Sequence, residues 1–328
     1  MSSTVNVAIH PSQFPENIRR DLLQSLRARQ VNHKFHYDSV KQTQQWLALH
    51  QAYSPSRTDA DCAAIYDAGF AAVAQQIGST RVHLIGLGCG GGQKDTRLLR
   101  WLHGPGRTAT YTPVDVGVPM VLVARQAALA VLNEDECHPL VCDLLTADDL
   151  PAVAAVQTER GTIRLITFFG MIPNFEPQAI LPKLAALLRP DDHLLFSANL
   201  APGADYAAGV RRILPLYDNA LTRDWLMTFL LDLGVEAGDG TLRFGVEDCP
   251  AGTDLQRVAA HFHFDRPRQV VIEDERFSFQ PGEAIRLFFS YRHTPDRIRA
   301  LLDQHGVSVR DQWITPSEEE GVFFCRRK

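Results

Sequence analysis

The sequence predicts an α/β protein: a doubly wound, Rossmann-like sheet of parallel strands with a second α+β domain attached. Three observations lead there. Short apolar runs alternate with amphipathic stretches between Arg81 and Leu200, the pattern of parallel strands joined by crossover helices. A glycine cluster, Gly86-Leu-Gly-Cys-Gly-Gly-Gly, follows the first of those runs, as happens where a strand turns into a helix beside a bound nucleotide. After Pro202 the alternation stops, and helical stretches from Val210 to Leu233 give way to meander-like strands from about Thr241.

Taken in order, Pro11 to about Arg29 reads as a helix, and Tyr37 to Trp46 is polar and aromatic. His50 to Asp59 carries Tyr-Ser-Pro-Ser and reads as a loop. An alanine-rich helix then runs to about Ile77, with Thr58 and Asp61 as a weak capping box. Strands are expected at Arg81–Leu87, Ala109–Val116, Pro139–Leu144, Ile163–Phe169 and His193–Leu200, with helices at Lys94–His103, Val118–Leu132 and Ile180–Leu188. Leu255–Phe264, Gln269–Glu273 and the segment from Phe277 to Glu283 read as strands and a turn. Thr294–His305 reads as a helix, and Gly321–Cys325 as a closing strand.

The 328 residues are 45% hydrophobic and 22% charged, enough for a sizeable core. A net charge of −5 supplies no general attraction to nucleic acid or an anionic membrane. The first residues lack a basic segment followed by an apolar run. The run from Val118 is broken by Arg125 and Gln126, so no stretch reaches the roughly 18 apolar residues of a membrane span. The expectation is a cytoplasmic protein. Cys62, Cys89, Cys137, Cys142, Cys249 and Cys325 show no zinc spacing and are expected to be free thiols.

The glycine cluster is compatible with more than one nucleotide. A phosphate-binding P-loop requires Gly-Lys-Ser/Thr at its end, but Gly92 is followed by Gln93, Lys94 and Asp95. Gly86, Gly88 and Gly91 satisfy the dinucleotide spacing, and Asp115 at the end of the second strand suits a ribose hydroxyl in a dinucleotide or an S-adenosylmethionine site alike. Asp143, ending the third strand, tips the balance. A carboxylate there can accept from an adenine amino group, while Leu144 packs on the ring. The segment Gly170-Met-Ile-Pro-Asn-Phe-Glu-Pro then brings backbone and Asn174 to the carboxyl end of the fourth strand. Together these favour S-adenosylmethionine and a sheet of the methyltransferase type.

Several segments, in order, resemble the histidine Nα-methyltransferases of ergothioneine biosynthesis. Lys34-Phe-His-Tyr-Asp-Ser is similar to that family's K-W-F-Y-D-S, and Gln51-Ala-Tyr-Ser-Pro-Ser-Arg-Thr-Asp to its P-E-Y-Y-P-T-R-T-E. Leu87-Gly-Cys-Gly with Lys94 and Thr96-Arg-Leu-Leu resembles L-G-S-G…K-T-R-L-L, and Tyr111-Thr-Pro-Val-Asp-Val resembles Y-V-P-V-D-V. Phe169 to Pro177 resembles a run containing G-S-T-I-G-N-F-x-P, one residue shorter. Gly282-Glu-Ala-Ile-Arg, Ser290 and Trp313 continue the likeness.

The resemblance implies a cofactor domain of residues 61–200 and 291–328, and a split substrate domain of 1–60 and 201–290. It implies that Tyr37, Tyr53, Gly170 and Asn174 hold an amino-acid substrate, the tyrosines lining its amine and Asn174 its carboxylate, while Ser290 meets its side chain. The expected cofactor residues are Gly86, Gly88, Gly90, Lys94, Asp115, Asp143 and Leu144.

Two departures matter. Aligning Ile285-Arg-Leu-Phe-Phe-Ser on the family's I-R-T-E-V-S puts Phe288 where a glutamate binds the imidazole. Leaving a buried donor unpaired costs about 1–3 kcal/mol, which argues for a less polar or aromatic substrate side chain, unless Phe288 is core and Glu283 serves instead. Gly86 stands where many methyltransferases carry an acid that contacts the methionine amine. The expected activity is methylation of a small molecule, foremost N-methylation of an amino acid or amine other than histidine, with Tyr37 and Tyr53 as the catalytic pair. O- or C-methylation and a non-catalytic cofactor-binding protein are the alternatives. His261 and His263 share a strand face, but no carboxylate stands in register to complete a metal site. No metal is expected, and oligomeric state is left open.

Overall fold

A computed structural model describes residues 4–78, 81–156, 158, 161–248 and 254–328; Cys249 lies outside them. The chain forms two compact units, residues 1–13, 55–200 and 293–328, and residues 14–54 and 201–292. Elements are numbered along the whole chain.

The first unit holds strands β1 (Ala8–Ile9), β2 (Arg81–Leu87), β3 (Thr108–Asp115), β4 (Leu140–Val141), β5 (Ile163–Phe169), β6 (His193–Asn199), β12 (Val307–Ile314) and β13 (Glu320–Arg327). They make one sheet in the order β1-β4-β3-β2-β5-β6-β13-β12. Its pairs are parallel from β1 to β6, and β13 is antiparallel to both β6 and β12. The chain runs outward from β2 to β4, then returns to β5 on the other side of β2. The reversal between β2 and β5 opens a crevice at their carboxyl ends. This is the doubly wound α/β fold expected.

Helices α3 (Pro55–Thr58), α4 (Ala60–Ile77), α5 (Gln93–Leu102), α6 (Val118–Ala128), α7 (Leu150–Val156), α8 (Pro177–Leu187) and α11 (Pro295–Gln304) complete this unit. Alternation along the buried strands feeds two cores. Ile85, Ile166, Phe168, Leu194 and Phe196 pack with α8 and α11, while Val82, Leu84, Leu165, Leu195 and Phe324 pack with α4 and α5. Burial on both faces is why these strands read as continuous apolar runs.

The second unit holds α1 (Pro15–Ala28), α2 (Val40–Tyr53), α9 (Tyr206–Ile213) and α10 (Ala220–Asp232). It has a sheet β11-β8-β7 and a hairpin β9–β10, from β7 (Gly240–Asp248), β8 (Gln256–Phe264), β9 (Arg268–Ile272), β10 (Glu275–Phe279) and β11 (Ala284–Arg292). Its core joins Leu26, Phe35, Trp225, Phe229, Phe262, Phe279 and Leu287.

Several expectations are corrected. Residues 1–13 and 55–60 fall in the first unit and not with 14–54; the first segment is tied there by Ala8 N donating to Pro139 O (3.0 Å) and His10 N to Val141 O (2.9 Å). Residues 50–59 are mostly helical rather than loop: α2 runs to Tyr53, and α3 restarts with Pro55 at its first position, where a missing N–H costs nothing. The cap of α4 is Asp59, not Thr58; its carboxylate accepts from Asp61 N and Cys62 N. The third strand shrinks to Leu140–Val141. Glu247, paired in register with Arg257, reaches His261 Nε2 at 3.3 Å, and among the described residues no cluster of three or more such groups able to hold a metal occurs.

Arg164 at the start of β5 and Asp192 before β6 form a buried ion pair, Nε to Oδ2 3.0 Å, and Arg164 Nη2 also donates to Leu187 O at 2.7 Å. Arg164→Ala strands a buried carboxylate and is expected to lose about 3–5 kcal/mol, read from urea unfolding. A loss under about 1 kcal/mol, the surface-pair range, contradicts this account of the sheet.

Candidate active site

The turn after β2 takes the left-handed conformation at Gly88, Gly90 and Gly92, with φ of 61°, 53° and 72°. L side chains rarely adopt it. Space closes the argument. A Cβ on Gly92 would lie 2.7 Å from Ala124 Cα, and one on Gly88 would lie 2.3 Å from Met171 Sδ. Two bonds strap the turn to β3: Cys89 N donates to Val114 O and Gly90 N to Asp115 Oδ2, both at 3.0 Å. The second oxygen of Asp115 accepts from Val116 N at 2.8 Å.

At the end of β4, Asp143 is buried, and its Oδ1 accepts from Leu145 N at 2.9 Å. Its own N–H donates to Ser12 Oγ (3.0 Å), and His10 Nδ1 lies 2.8 Å from the same oxygen. The segment after β1, His10 to Ser12, therefore props this acid, a link that no sequence motif marks. Leu144 is buried within the core under β4.

Lys94, in the first turn of α5, donates to the Tyr66 hydroxyl at 2.8 Å. That hydroxyl donates in turn to Glu320 Oε1 (2.6 Å) and lies 2.7 Å from Ser197 Oγ, which accepts from Gly170 N at 2.9 Å. One chain of bonds thus joins the glycine turn to the loop after β5. Burial first, and then the Glu320 charge, hold the Tyr66 hydroxyl well above its ordinary pKa, so it stays neutral. Gly170 has φ 67°, and Asn174 closes the short 3₁₀ turn Ile172–Asn174 behind it. Tyr66, Ser197 and Glu320 carry no local motif, and only the sheet order brings them together.

Gly86 lies inside β2, beside Pro113 and Thr167 in the neighbouring strands. A Cβ there would meet Asp95 Oδ2 at 2.1 Å. Asp95 is buried in the first turn of α5 and accepts from Tyr111 Oη (2.7 Å) and Thr167 Oγ1 (2.8 Å).

The residues present fit the chemistry of S-adenosylmethionine: a glycine-rich turn that admits close backbone approach, and buried carboxylates at the carboxyl ends of β3 and β4 that can accept from hydroxyl or amino groups.

In the second unit, Phe288 is 7% exposed among Tyr217 and Trp225 (ring centroids 5.9 Å each) and His33 (5.3 Å). Tyr37 packs on Trp225 and Trp46. Ser290 is buried with its Oγ 2.8 Å from Tyr217 Oη, and that hydroxyl accepts from Arg292 Nη2 at 2.8 Å. Tyr217 and Arg292 were missed because nothing nearby in sequence marks them. Tyr53 ends α2 with 52% exposure, outside this aromatic cluster. Glu283, the alternative ring partner, is held in the connection between β10 and β11: its Oε2 accepts from Gln280 N at 2.6 Å and lies 3.7 Å from Arg29 Nη2.

A family model described as histidine-specific, SAM-dependent methyltransferase matches residues 18–327. The chain is similar to the N-methyltransferase imqF of Aspergillus flavus, 25% identical over 260 residues, covering 75% of this chain and 67% of that protein. Among solved structures it is similar to the magnesium protoporphyrin IX methyltransferase of Synechocystis PCC 6803 with bound SAH, at 14% identity and TM-score 0.48, covering 90% of this chain and 98% of the other. It is also similar to an S-adenosylmethionine-dependent methyltransferase from Clostridium acetobutylicum, at 11% identity and TM-score 0.46, covering 87% and 98%. Among the described residues, no helix is long and apolar enough to cross a membrane.

Burial pushes the carboxyls of Asp95 and Asp115 up to about 6, against the hydrogen bonds that favour their ionised forms. With the folded pKa raised, each contributes stability that is full below the ordinary 3.8 and is lost as pH rises through about 6. Ligand binding is expected to run the other way, since a donor group binding to either carboxylate favours its ionised form. Affinity for S-adenosylhomocysteine, followed by calorimetry, is expected to be level near neutral pH and to fall as pH drops through about 6. Affinity that does not change across that step contradicts a role for these acids.

Proposed function

This chain belongs to the histidine-specific, S-adenosylmethionine-dependent methyltransferases, and on that premise we propose that it N-methylates an amino acid or related amine other than histidine. Phe288 carries the proposal. It is the residue aligned with the family's imidazole-binding glutamate, it sits among His33, Tyr217 and Trp225, and Glu283 accepts from Gln280 N in the connection between β10 and β11. Phe288 itself offers dispersion and ring contacts where the family's glutamate offers a charged acceptor, so the position favours an apolar or aromatic side chain. The likeness to an N-methyltransferase supports nitrogen as the acceptor atom.

S-adenosylmethionine, when bound, would supply a methyl group activated by its sulfonium, a C–N bond to a neutral amine forming in line as the C–S bond breaks and S-adenosylhomocysteine leaves. The residues proposed to hold it are Gly86, Gly88 and Gly90 by backbone approach, Asp115 at the ribose, Asp143 and Leu144 at the adenine, and Lys94 at the methionyl carboxylate. For the acceptor, Asn174 and the Gly170 backbone are proposed to bind the carboxylate, Ser290 and Phe288 the side chain, and Tyr37 and Tyr53 the amine. Positioning of this kind supplies about 7–11 kcal/mol of the barrier reduction. The two hydroxyls orient the amine lone pair and help carry off its proton, a contribution of about 10²–10⁴-fold.

A panel of amino acids and amines, incubated with S-adenosylmethionine and read by product mass and NMR, tests this. N-methylated products are expected from apolar or aromatic amines and not from histidine. Efficient histidine methylation overturns the reading, and O- or C-methylated products replace it with the alternative. Restoring the acid by Phe288→Glu is expected to raise histidine turnover relative to the best substrate by about tenfold or more, equivalent to about 1.4 kcal/mol. Asn174→Ala is expected to raise KM for amino acids and leave amines that lack a carboxylate unaffected; intact amino-acid turnover removes Asn174 from the site.

A further inference from the structure

We propose that Asp95 supplies the carboxylate that receives the α-ammonium group of S-adenosylmethionine, reaching from α5 into the place left by Gly86 on β2. The inference rests on the cofactor and not on the acceptor proposed above.

The geometry is direct. The Asp95 Oδ2 atom lies 2.1 Å from where a Cβ of residue 86 would be, and Asp95 Cγ lies 3.1 Å from it. Two different residues cannot both fill that volume. A glycine on the strand and an aspartate on the following helix are therefore one arrangement: the acid has moved along the chain while its carboxylate has stayed at the carboxyl end of β2. Asp95 stands between Lys94 and Thr96, a place where the related K-T-R-L-L segment has no residue.

The carboxylate is also held still. Tyr111 on β3 donates to Oδ2 and Thr167 on β5 to Oδ1, at 2.7 and 2.8 Å. These strands flank β2, so the acid is fixed at the reversal of strand order where such sheets bind ligands. Two hydroxyl donors leave lone pairs on both oxygens unused. Asp95 is 4% exposed, and burial raises its pKa to about 6 against the Tyr111 and Thr167 hydrogen bonds and the neighbouring Lys94 charge, which offset only part of the cost. An incoming ammonium at the free lone pairs offsets what remains.

The test compares two ligands that differ in the group at issue. S-adenosylhomocysteine carries the α-ammonium, and 5′-methylthioadenosine lacks the amino-acid end. Calorimetry on the full chain is expected to show Asp95→Asn weakening S-adenosylhomocysteine by about tenfold or more while 5′-methylthioadenosine binds as to the wild type. The substitution keeps the shape and removes a buried charge, so melting at neutral pH should stay at or above the wild-type temperature. The double variant Gly86→Asp/Asp95→Ala, which returns the acid to the strand, is expected to regain the preference for S-adenosylhomocysteine that Asp95→Ala alone loses. Wild-type affinity in Asp95→Asn, equal weakening of both ligands, or no regained preference in the double variant overturns the proposal.

Discussion

The bond from Gly90 N to the Asp115 carboxylate ties the glycine turn to the end of β3, and much of the first unit is arranged around keeping that turn in place. The turn can exist only with positive φ at Gly88, Gly90 and Gly92, and the close approach of Ala124 on α6 leaves no room for a side chain at Gly92. Once the turn is fixed, α5 must start at Gln93, and its first residues, Lys94 and Asp95, are delivered to the crevice between β2 and β5. Their partners come from other elements: Tyr111 on β3 and Thr167 on β5 for Asp95, and for Lys94 the hydroxyl of Tyr66 on α4, itself bonded to Glu320 on β13. The site is therefore a product of sheet order as much as of local sequence.

This explains what could be read beforehand. The glycine cluster, Asp115 and the Gly170–Asn174 loop were legible because each sits within a few residues of a strand end, where apolar runs and turn residues mark the position. Asp95 was not, because in sequence it is one more acid in the first turn of an amphipathic helix. Its meaning appears only when the empty volume at Gly86 is measured against it. The pairing of β1 with β4 was hidden for a related reason. Ala8 and Leu140 are far apart in the chain, and a strand of two residues has no periodicity to detect.

The second unit was read less well, and for physical reasons. In Tyr53-Ser-Pro-Ser the proline suggests a break, yet the helix resumes after the single residue Ser54 because Pro55 occupies a first helical position. The aromatic wall around Phe288 draws Tyr37 from before α2, Tyr217 from before α10 and Trp225 from within it. Only the family alignment singled out Phe288, and only the fold showed that Glu283, the acid able to replace the missing one, is held elsewhere by Gln280 N and Arg29.

The central claim is that the glycine turn with Asp115 and Asp143 is an S-adenosylmethionine site and not a dinucleotide site, the two readings that the turn alone allowed. Competitive calorimetric titration of the full chain with S-adenosylhomocysteine and NAD measures that choice directly. The account predicts saturable, one-site binding of S-adenosylhomocysteine that NAD does not displace and that Asp143→Ala weakens. Binding of NAD in its place, or S-adenosylhomocysteine affinity indifferent to Asp143, would contradict it.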